Sequence, residues 1–311
     1  MPAMRYAVRF ATEYRYGEPV PSSQHLLRVI PRSTAEQRVE AAALVFEPQP
    51  AEQRRFGDFW GNDVVLAGLR APHDRLAVVL VAEVTVDRVA PPVEAGPAWE
   101  TVAAAAIADD DLGPQAPVHH RFATRLTPPV EGLREYALAS FPPGRPAWSG
   151  AIDLARRIRQ DLRYAPGATT AATTARQAFA QRAGVCQDFA HVMIAALRGL
   201  GLPAAYVSGY LRTEPPPGQP RLAGADAMHA WVSVWGGPAL GWAGFDPTNA
   251  LVVGDAHVEV AIGRDYADVA PVDGVIVASG THDFEVGVDV APLDCVAADG
   301  SGQPALPFAP G

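Results

Sequence analysis

The chain of 311 residues contains no lysine; all 25 of its basic side chains are arginine. A protein without lysine offers no ε-amine for crosslinking to itself. Cysteine is nearly as scarce, with only Cys186 and Cys295 present. Two cysteines exclude a disulfide scaffold and point to a reducing compartment. Long apolar runs are missing too: none reaches the roughly 18 residues that a membrane-spanning helix needs. The opening stretch MPAMRYAVRFATEYRYG has no apolar core of the kind found in secretion signals, so the expectation is a cytoplasmic chain with no membrane partner. No basic cluster offsets the 34 acidic residues, and the net charge of −9 argues against nucleic acid as a partner. No acidic ligand loop suggests calcium, no repeat of fixed period is visible, and no cofactor is implied.

What is present is a chain that is 49% apolar, enough for a sizeable core in one large domain or two ordinary ones. Residues 1–92 read as a β-rich N-terminal domain. MRYAVRFATEYRY alternates, and LLRVIPR, AAALVFEP, NDVVLAGL and RLAVVLVAEVTVDRV are further strand candidates separated by turn signals. Residues 93–145 read as a helical connection, with HHRFATRL and VEGLREYALASFP as short helices. In residues 146–295 the order changes to helices followed by strands. GAIDLARRIRQDLRY has an apolar helical face, Thr174 and Gln177 resemble a capping box, and AGVCQDFAHVMIAALRGLG reads as a buried helix closed by Gly199 or Gly201. AAYVSGYL, HAWVSVW, LGWAGFD, VEVAIG, VIVAS and HDFEVGVDVAP follow as strands. Residues 296–311 read as a flexible Gly/Pro-rich tail. The predicted class is α+β, with helices packed on an antiparallel sheet after a small β-rich domain.

The run Gly-Val-Cys-Gln-Asp at 184–188 places Cys186 in the first turn of a helix. Unpaired N–H groups and the positive end of the helix dipole meet there and favour a thiolate. Alone, such a cysteine reads more readily as a small buried hydrophobe, the commoner fate of a single cytosolic cysteine. The histidine of DAMHAWVSVW alters that balance. Ala230, Val232 and Val234 alternate toward one face, which leaves His229, Trp231 and Ser233 on the other. GGPALG is a hairpin-length connection into LGWAGFDPTN. A turn centred near Pro238 and Ala239 brings Asp246 about one diagonal step from His229, with Trp242 on the same face. A carboxylate there can fix the imidazole tautomer; equally, it can simply open an Asp-Pro turn. Together, Cys186, His229 and Asp246 form a nucleophile, base and orienter arrangement.

With these blocks assembled, GVCQDFAH, DAMHAWV and GWAGFDPTN resemble the core of the bacterial transglutaminase-like superfamily. YRYGEPV and DFWGND resemble the N-terminal region often joined to it. The resemblance implies a papain-like fold, Cys186 as nucleophile, His229 as base and Asp246 as orienter. It also implies thiol acyl transfer on a peptide or glutamine-type amide.

The remaining candidates divide between site and scaffold. The backbone N–H of Cys186 is the natural first oxyanion donor, with Gln181 or Tyr164 as the second. Trp231 and Trp242 either wall the cleft or pack together. His191 lies about 140° around the helix from Cys186, so it reads as structural, as does Asp188 in the first turn. Cys186, His191 and His229 make only a thin zinc set. Arg264 is expected to pair with Asp268, and Cys295 reads as an incidental thiol. The expected activity is a cysteine peptidase or amidase acting on a peptide or protein, with hydrolysis favoured. A glutamine-to-amine transferase is the alternative, and a non-catalytic binding or scaffold module the reading from another class.

Overall fold

The computed structural model describes residues 3–213, 226–276 and 282–293. Six strands come first: β1 (Met4–Val20), β2 (Ser23–Leu27), β3 (Gln37–Glu47), β4 (Glu52–Gly57), β5 (Asp63–Leu69) and β6 (His73–Val86). Helix α1 (Trp99–Ala108), a 3₁₀ turn at Pro117–His120, α2 (Leu133–Leu138) and α3 (Ala147–Asp161) follow. Next come β7 (Arg163–Tyr164), α4 (Ala175–Gln181), β8 (Ala183–Gly184) and the long helix α5 (Cys186–Gly199). The chain then forms β9 (Ala204–Leu211), β10 (Ala227–Trp235), β11 (Trp242–Asp246), β12 (Leu251–Val252) and β13 (His257–Gly263). It ends with α6 (Tyr266–Val269), β14 (Val272–Ile276) and β15 (His282–Pro292).

The N-terminal strands build two antiparallel four-stranded sheets, ordered β15-β1-β6-β3 and β14-β2-β5-β4. Alternation in β1 is clean: Tyr6, Val8, Phe10 and Thr12 are buried, and the residues between them are not, so one face of this sheet supplies the core. The outermost partners come from the other end of the chain. β15 runs along β1 from Tyr6↔Pro292 to Tyr16↔His282, and β14 pairs with β2. Residues 272–276 and 282–292, which sequence pattern groups with the 146–295 core, therefore complete the N-terminal sheets. Alternation identifies a strand but not its distant partner. The proposed tail at 296–311 and Cys295 lie outside the described residues.

The second half holds a five-stranded antiparallel sheet, β12-β11-β10-β9-β13. α5 packs on one face of it. Phe189, Val192, Met193, Ala196 and Leu197 are fully buried in one cluster with Ala230, Val232, Val234 and Phe245. The α+β class expected from sequence is the one observed.

Residues 93–145 are less helical than their sequence suggests. HHRFATRL contributes only the end of the Pro117–His120 turn, and residues 121–132 form no helix. The buried Arg198 accounts for this. Its guanidinium donates to the His120 carbonyl at 2.9 Å, the Thr127 hydroxyl at 2.9 Å, the Ala204 carbonyl at 2.8 Å and the Arg264 carbonyl at 2.7 Å. A carbonyl taken up by Arg198 is diverted from a helical ladder, and Pro128 and Pro129 block continuation further on.

Candidate active site

Cys186 is the first residue of α5, and Val185 is its extended N-cap. Asp188 sets this start. Its Oδ2 accepts the Val185 N–H at 2.8 Å and the Thr169 hydroxyl at 2.7 Å. The carboxylate folds back beneath Gly184, where a Cβ would stand 2.5 Å from Asp188 Oδ2 and 2.6 Å from its Cβ. Glycine is needed there because the acid occupies that space. Burial raises the Asp188 carboxyl above its ordinary range, against the hydrogen bonds from the Val185 N–H, the Thr169 hydroxyl and its own backbone N–H, which lower it. The motif thus works as one unit: the glycine admits the aspartate, the aspartate caps the helix, and the cap leaves Cys186 partly exposed at the helix start.

His229 lies on β10 and is buried. Its Nε2 donates to Asp246 Oδ2 at 2.8 Å, and it also hydrogen-bonds Cys186. With Nε2 committed to the carboxylate, Nδ1 is the nitrogen left for the sulfur. The hairpin turn falls where the sequence places it, with Trp235↔Trp242 and Val232↔Phe245 paired. Burial alone would push the His229 imidazole down. Hydrogen bonds to Asp246 and Cys186, and their charges, reverse that and lift it to about 10. Asp246 is fully buried at the end of β11. Burial would raise its carboxyl, but donation from His229 and His257, the His229 charge and Asn249 hold it well below the usual carboxylate range.

Two Asp246 partners were not singled out from the sequence. His257 Nε2 donates to Asp246 Oδ2 at 3.2 Å, and Asn249 Nδ2 to the same oxygen at 2.7 Å. The backbone N–H groups of Thr248 and Asn249 donate to Oδ1 at 2.8 and 3.1 Å. Five donors saturate the acceptor sites of this carboxylate. His229, Asp246 and His257 have ligand atoms within 4.8 Å of one another, but these hydrogen bonds explain the cluster without an ion. The signals in sequence were faint: His257 opens an alternating strand, and Asn249 sits in an ordinary Asp-Pro-Thr-Asn turn.

The other candidates fall in different places. Tyr164 is 47% exposed. Burial raises its phenol, and the proximity of Cys186 adds to that, so it stands near the sulfur. Gln181 is exposed, and its amide donates to the Ala183 carbonyl at 3.0 Å. His191 is fully buried and accepts the Tyr266 N–H at Nε2, 3.2 Å away; it faces α6, which leaves the Cys186–His191–His229 set without a common centre. Arg264 pairs bidentately with Asp268, at 2.8 and 2.9 Å. Trp231 and Trp242 share a sheet face and line a cavity of about 400 Å³ with Trp60, His120, Arg32 and Glu259. Cys186, His229 and Asp246 are not among its lining residues.

The chain also matches known families and proteins. The bacterial transglutaminase-like N-terminal region matches residues 6–85, and the transglutaminase-like superfamily core matches residues 143–247. An uncharacterized protein of Mycobacterium tuberculosis is 40% identical over 299 residues, covering 93% of each chain. A protein-glutamine gamma-glutamyltransferase of Pseudomonas aeruginosa is 41% identical over 71 residues, 22% of this chain and 10% of that protein. Among solved structures, a candidate cysteine protease from Cytophaga hutchinsonii superposes with a TM-score of 0.73 at 24% identity, covering 94% of this chain and 92% of that one; that likeness concerns the fold. Among the described residues no helix is long and apolar enough to cross a membrane.

Proposed function

From its membership of the transglutaminase-like superfamily, to which the chain belongs, we propose that this protein is a thiol-dependent acyl-transfer enzyme. It acts on peptide or glutamine-type amides, with hydrolysis as the main outcome. The observation that carries the reading is His229 linking two partners: Asp246 at Nε2, 2.8 Å away, and Cys186 on its remaining side.

The chemistry follows from those contacts. A protonated His229 favours the Cys186 thiolate. The sulfur attacks the amide carbon and the carbonyl oxygen becomes an oxyanion, met by the Cys186 N–H at the helix start and by the Tyr164 hydroxyl. Collapse breaks the C–N bond. His229 passes its proton to the departing amine, which leaves an acyl thioester on Cys186. A water then loses a proton to His229 and attacks the thioester; the C–S bond breaks, the acid departs, and the Cys186 thiolate beside a protonated His229 is restored. Asp246 holds the imidazole tautomer through both halves. A free thiol nucleophile suits a reducing, cytoplasmic setting.

Hydrolysis is favoured because water is always present and no amine channel is identifiable among the described residues. The transferase reading draws on the 71-residue likeness to the Pseudomonas gamma-glutamyltransferase. The test is a library of glutamine-containing peptides, with and without a fluorescent primary amine, followed by mass spectrometry. Ammonia or peptide release without incorporation supports hydrolysis. Incorporation outpacing release selects the transferase. If Cys186 alkylates no faster than a free thiol, and does not slow in His229→Ala, the chain is a binding or scaffold module.

A further inference from the structure

We propose that the N-terminal β unit is a positioning device for the reacting groups: it grips the edge strand β13 and, through His257, holds Asp246 against His229. This rests on reading Cys186, His229 and Asp246 as the reacting set.

Among the described residues β13 is the edge of the five-stranded sheet, with β9 on one side and no strand on the other. An open edge leaves backbone groups unpaired. Here side-chain amides of the N-terminal unit take the place of a neighbouring strand. Gln37 Nε2 donates to the Glu259 carbonyl at 2.8 Å, and its Oε1 accepts the Glu259 N–H at 2.7 Å. Asn62 repeats the pattern, donating to the Ile262 carbonyl at 2.8 Å and accepting the Ile262 N–H at 2.8 Å. Arg32 adds its own N–H to the Glu259 carbonyl at 3.1 Å, with its guanidinium 3.4 Å from the Glu259 carboxylate. Gln37 and Asn62 are almost wholly buried, at 2% and 0% exposure, so each unmade bond would leave a buried polar group orphaned.

The grip extends to the start of the strand. Arg88, just past the end of β6, donates to the Gly254 carbonyl at 2.7 Å and the His257 carbonyl at 3.0 Å, steadied by Glu36 at 3.2 Å. Its side chain is 8% exposed, so these bonds are made out of water. His257 is held at its backbone by Arg88 and at its ring by Trp231, which meets it edge-on with centroids 5.2 Å apart. The Trp231 ring reaches that position because Gly209 has no side chain; a Cβ there would collide with it. So fixed, His257 Nε2 donates to Asp246 Oδ2 at 3.2 Å. Among the described residues His257 Nδ1 is buried without a hydrogen-bond partner, so within them the ring's one hydrogen bond is the one to Asp246. From the Arg88 guanidinium to the His229 imidazole the connection runs through one backbone carbonyl, one imidazole and one carboxylate.

His257 and Arg88 are therefore positioning residues, and their test compares the full-length wild type with His257→Leu, His257→Gln and Arg88→Met. Iodoacetamide alkylation of Cys186 near neutral pH is the primary probe. The low-field proton shared by His229 and Asp246 in the NMR spectrum is the second, and near-UV circular dichroism reports on folding. Wild-type Cys186 is expected to alkylate about tenfold or more faster than glutathione. His257→Leu is expected to lose about tenfold or more of that rate and to broaden the shared proton. His257→Gln, which keeps a donor, is expected to recover most of both. Arg88→Met is expected to fall between Leu and Gln. With a substrate from the peptide library in hand, the losses appear in kcat and leave KM nearly unchanged.

Wild-type alkylation no faster than glutathione overturns both this inference and the acyl-transfer reading. A fast wild type with folded Leu and Met variants that alkylate equally fast overturns the inference alone. A Gln variant as slow as Leu also overturns it, since volume and not hydrogen bonding would then be what matters.

Discussion

Asp188 and Gly184 occupy one another's space: the carboxylate lies where a side chain at 184 would project, and a Cβ there would stand only 2.5 Å from Asp188 Oδ2, well inside contact distance. Any larger residue at 184 must displace the acid that caps the helix carrying Cys186. Gly184→Ala is therefore expected to destabilise the fold by about 1–3 kcal/mol and to slow Cys186 alkylation. Thermal unfolding and an iodoacetamide time course measure the two effects. An alanine variant that melts and alkylates as the parent does would remove the account of this motif.

Asp246 and His229 give a prediction about chemistry. In Asp246→Asn the carboxamide lacks the charge that favours the imidazolium, so peptide-cleaving kcat is expected to drop by roughly 10²–10⁴. Substrate binding should change little. Steady-state kinetics on a peptide cleaved by the wild type separates these, and an Asn variant with near-normal kcat would exclude Asp246 from the mechanism.

The same pair sets a pH dependence of stability. His229 is pushed up to about 10 in the fold, from an ordinary value of 6.5. A raised value means that the folded state holds the proton more tightly. The stabilisation is complete below about pH 6.5, declines as the pH rises, and is gone above about pH 10. Asp246 has the opposite sign: its depressed carboxyl stabilises the fold above the ordinary carboxyl range, and that contribution is lost only in strong acid. Urea unfolding near pH 6, 8 and 10 should show the decline, and His229→Gln should flatten it. An unchanged slope in that variant would mean that another group is responsible.

Two arginines predict a contrast. Arg198 is 8% exposed and serves three carbonyls and a hydroxyl, whereas Arg264 is 51% exposed and bonds chiefly to Asp268. Arg198→Met strands several buried acceptors and is expected to cost about 2–5 kcal/mol. Arg264→Ala should cost under about 1 kcal/mol. Denaturant midpoints distinguish them, and equal losses would refute the assignment of Arg198 as the fastening of residues 120–127.

Much of this site could be read from local pattern. Thr174 and Gln177 do form a reciprocal capping box. α5 begins at the cysteine, and the β10–β11 turn lies at the predicted residues. Each depends on neighbours a few positions apart, and side-chain chemistry over such distances is written directly in residue order. HHRFATRL failed for the same reason in reverse: its local pattern is helical, but a side chain about 78 residues away takes its carbonyl.

The residue order alone determined where a thiol meets a helix start, which face of β10 carries His229, and that an acid follows one hairpin later. Tertiary structure decided which groups surround that acid and what holds them. His257, Asn249, the clamp of Gln37, Asn62 and Arg88 on β13, and the return of β14 and β15 to the N-terminal sheets join segments up to 286 residues apart, as Tyr6 pairs with Pro292. Periodicity encodes which face of an element is buried, but the choice of distant partner comes from burying all those faces together and covering exposed edges such as that of β13.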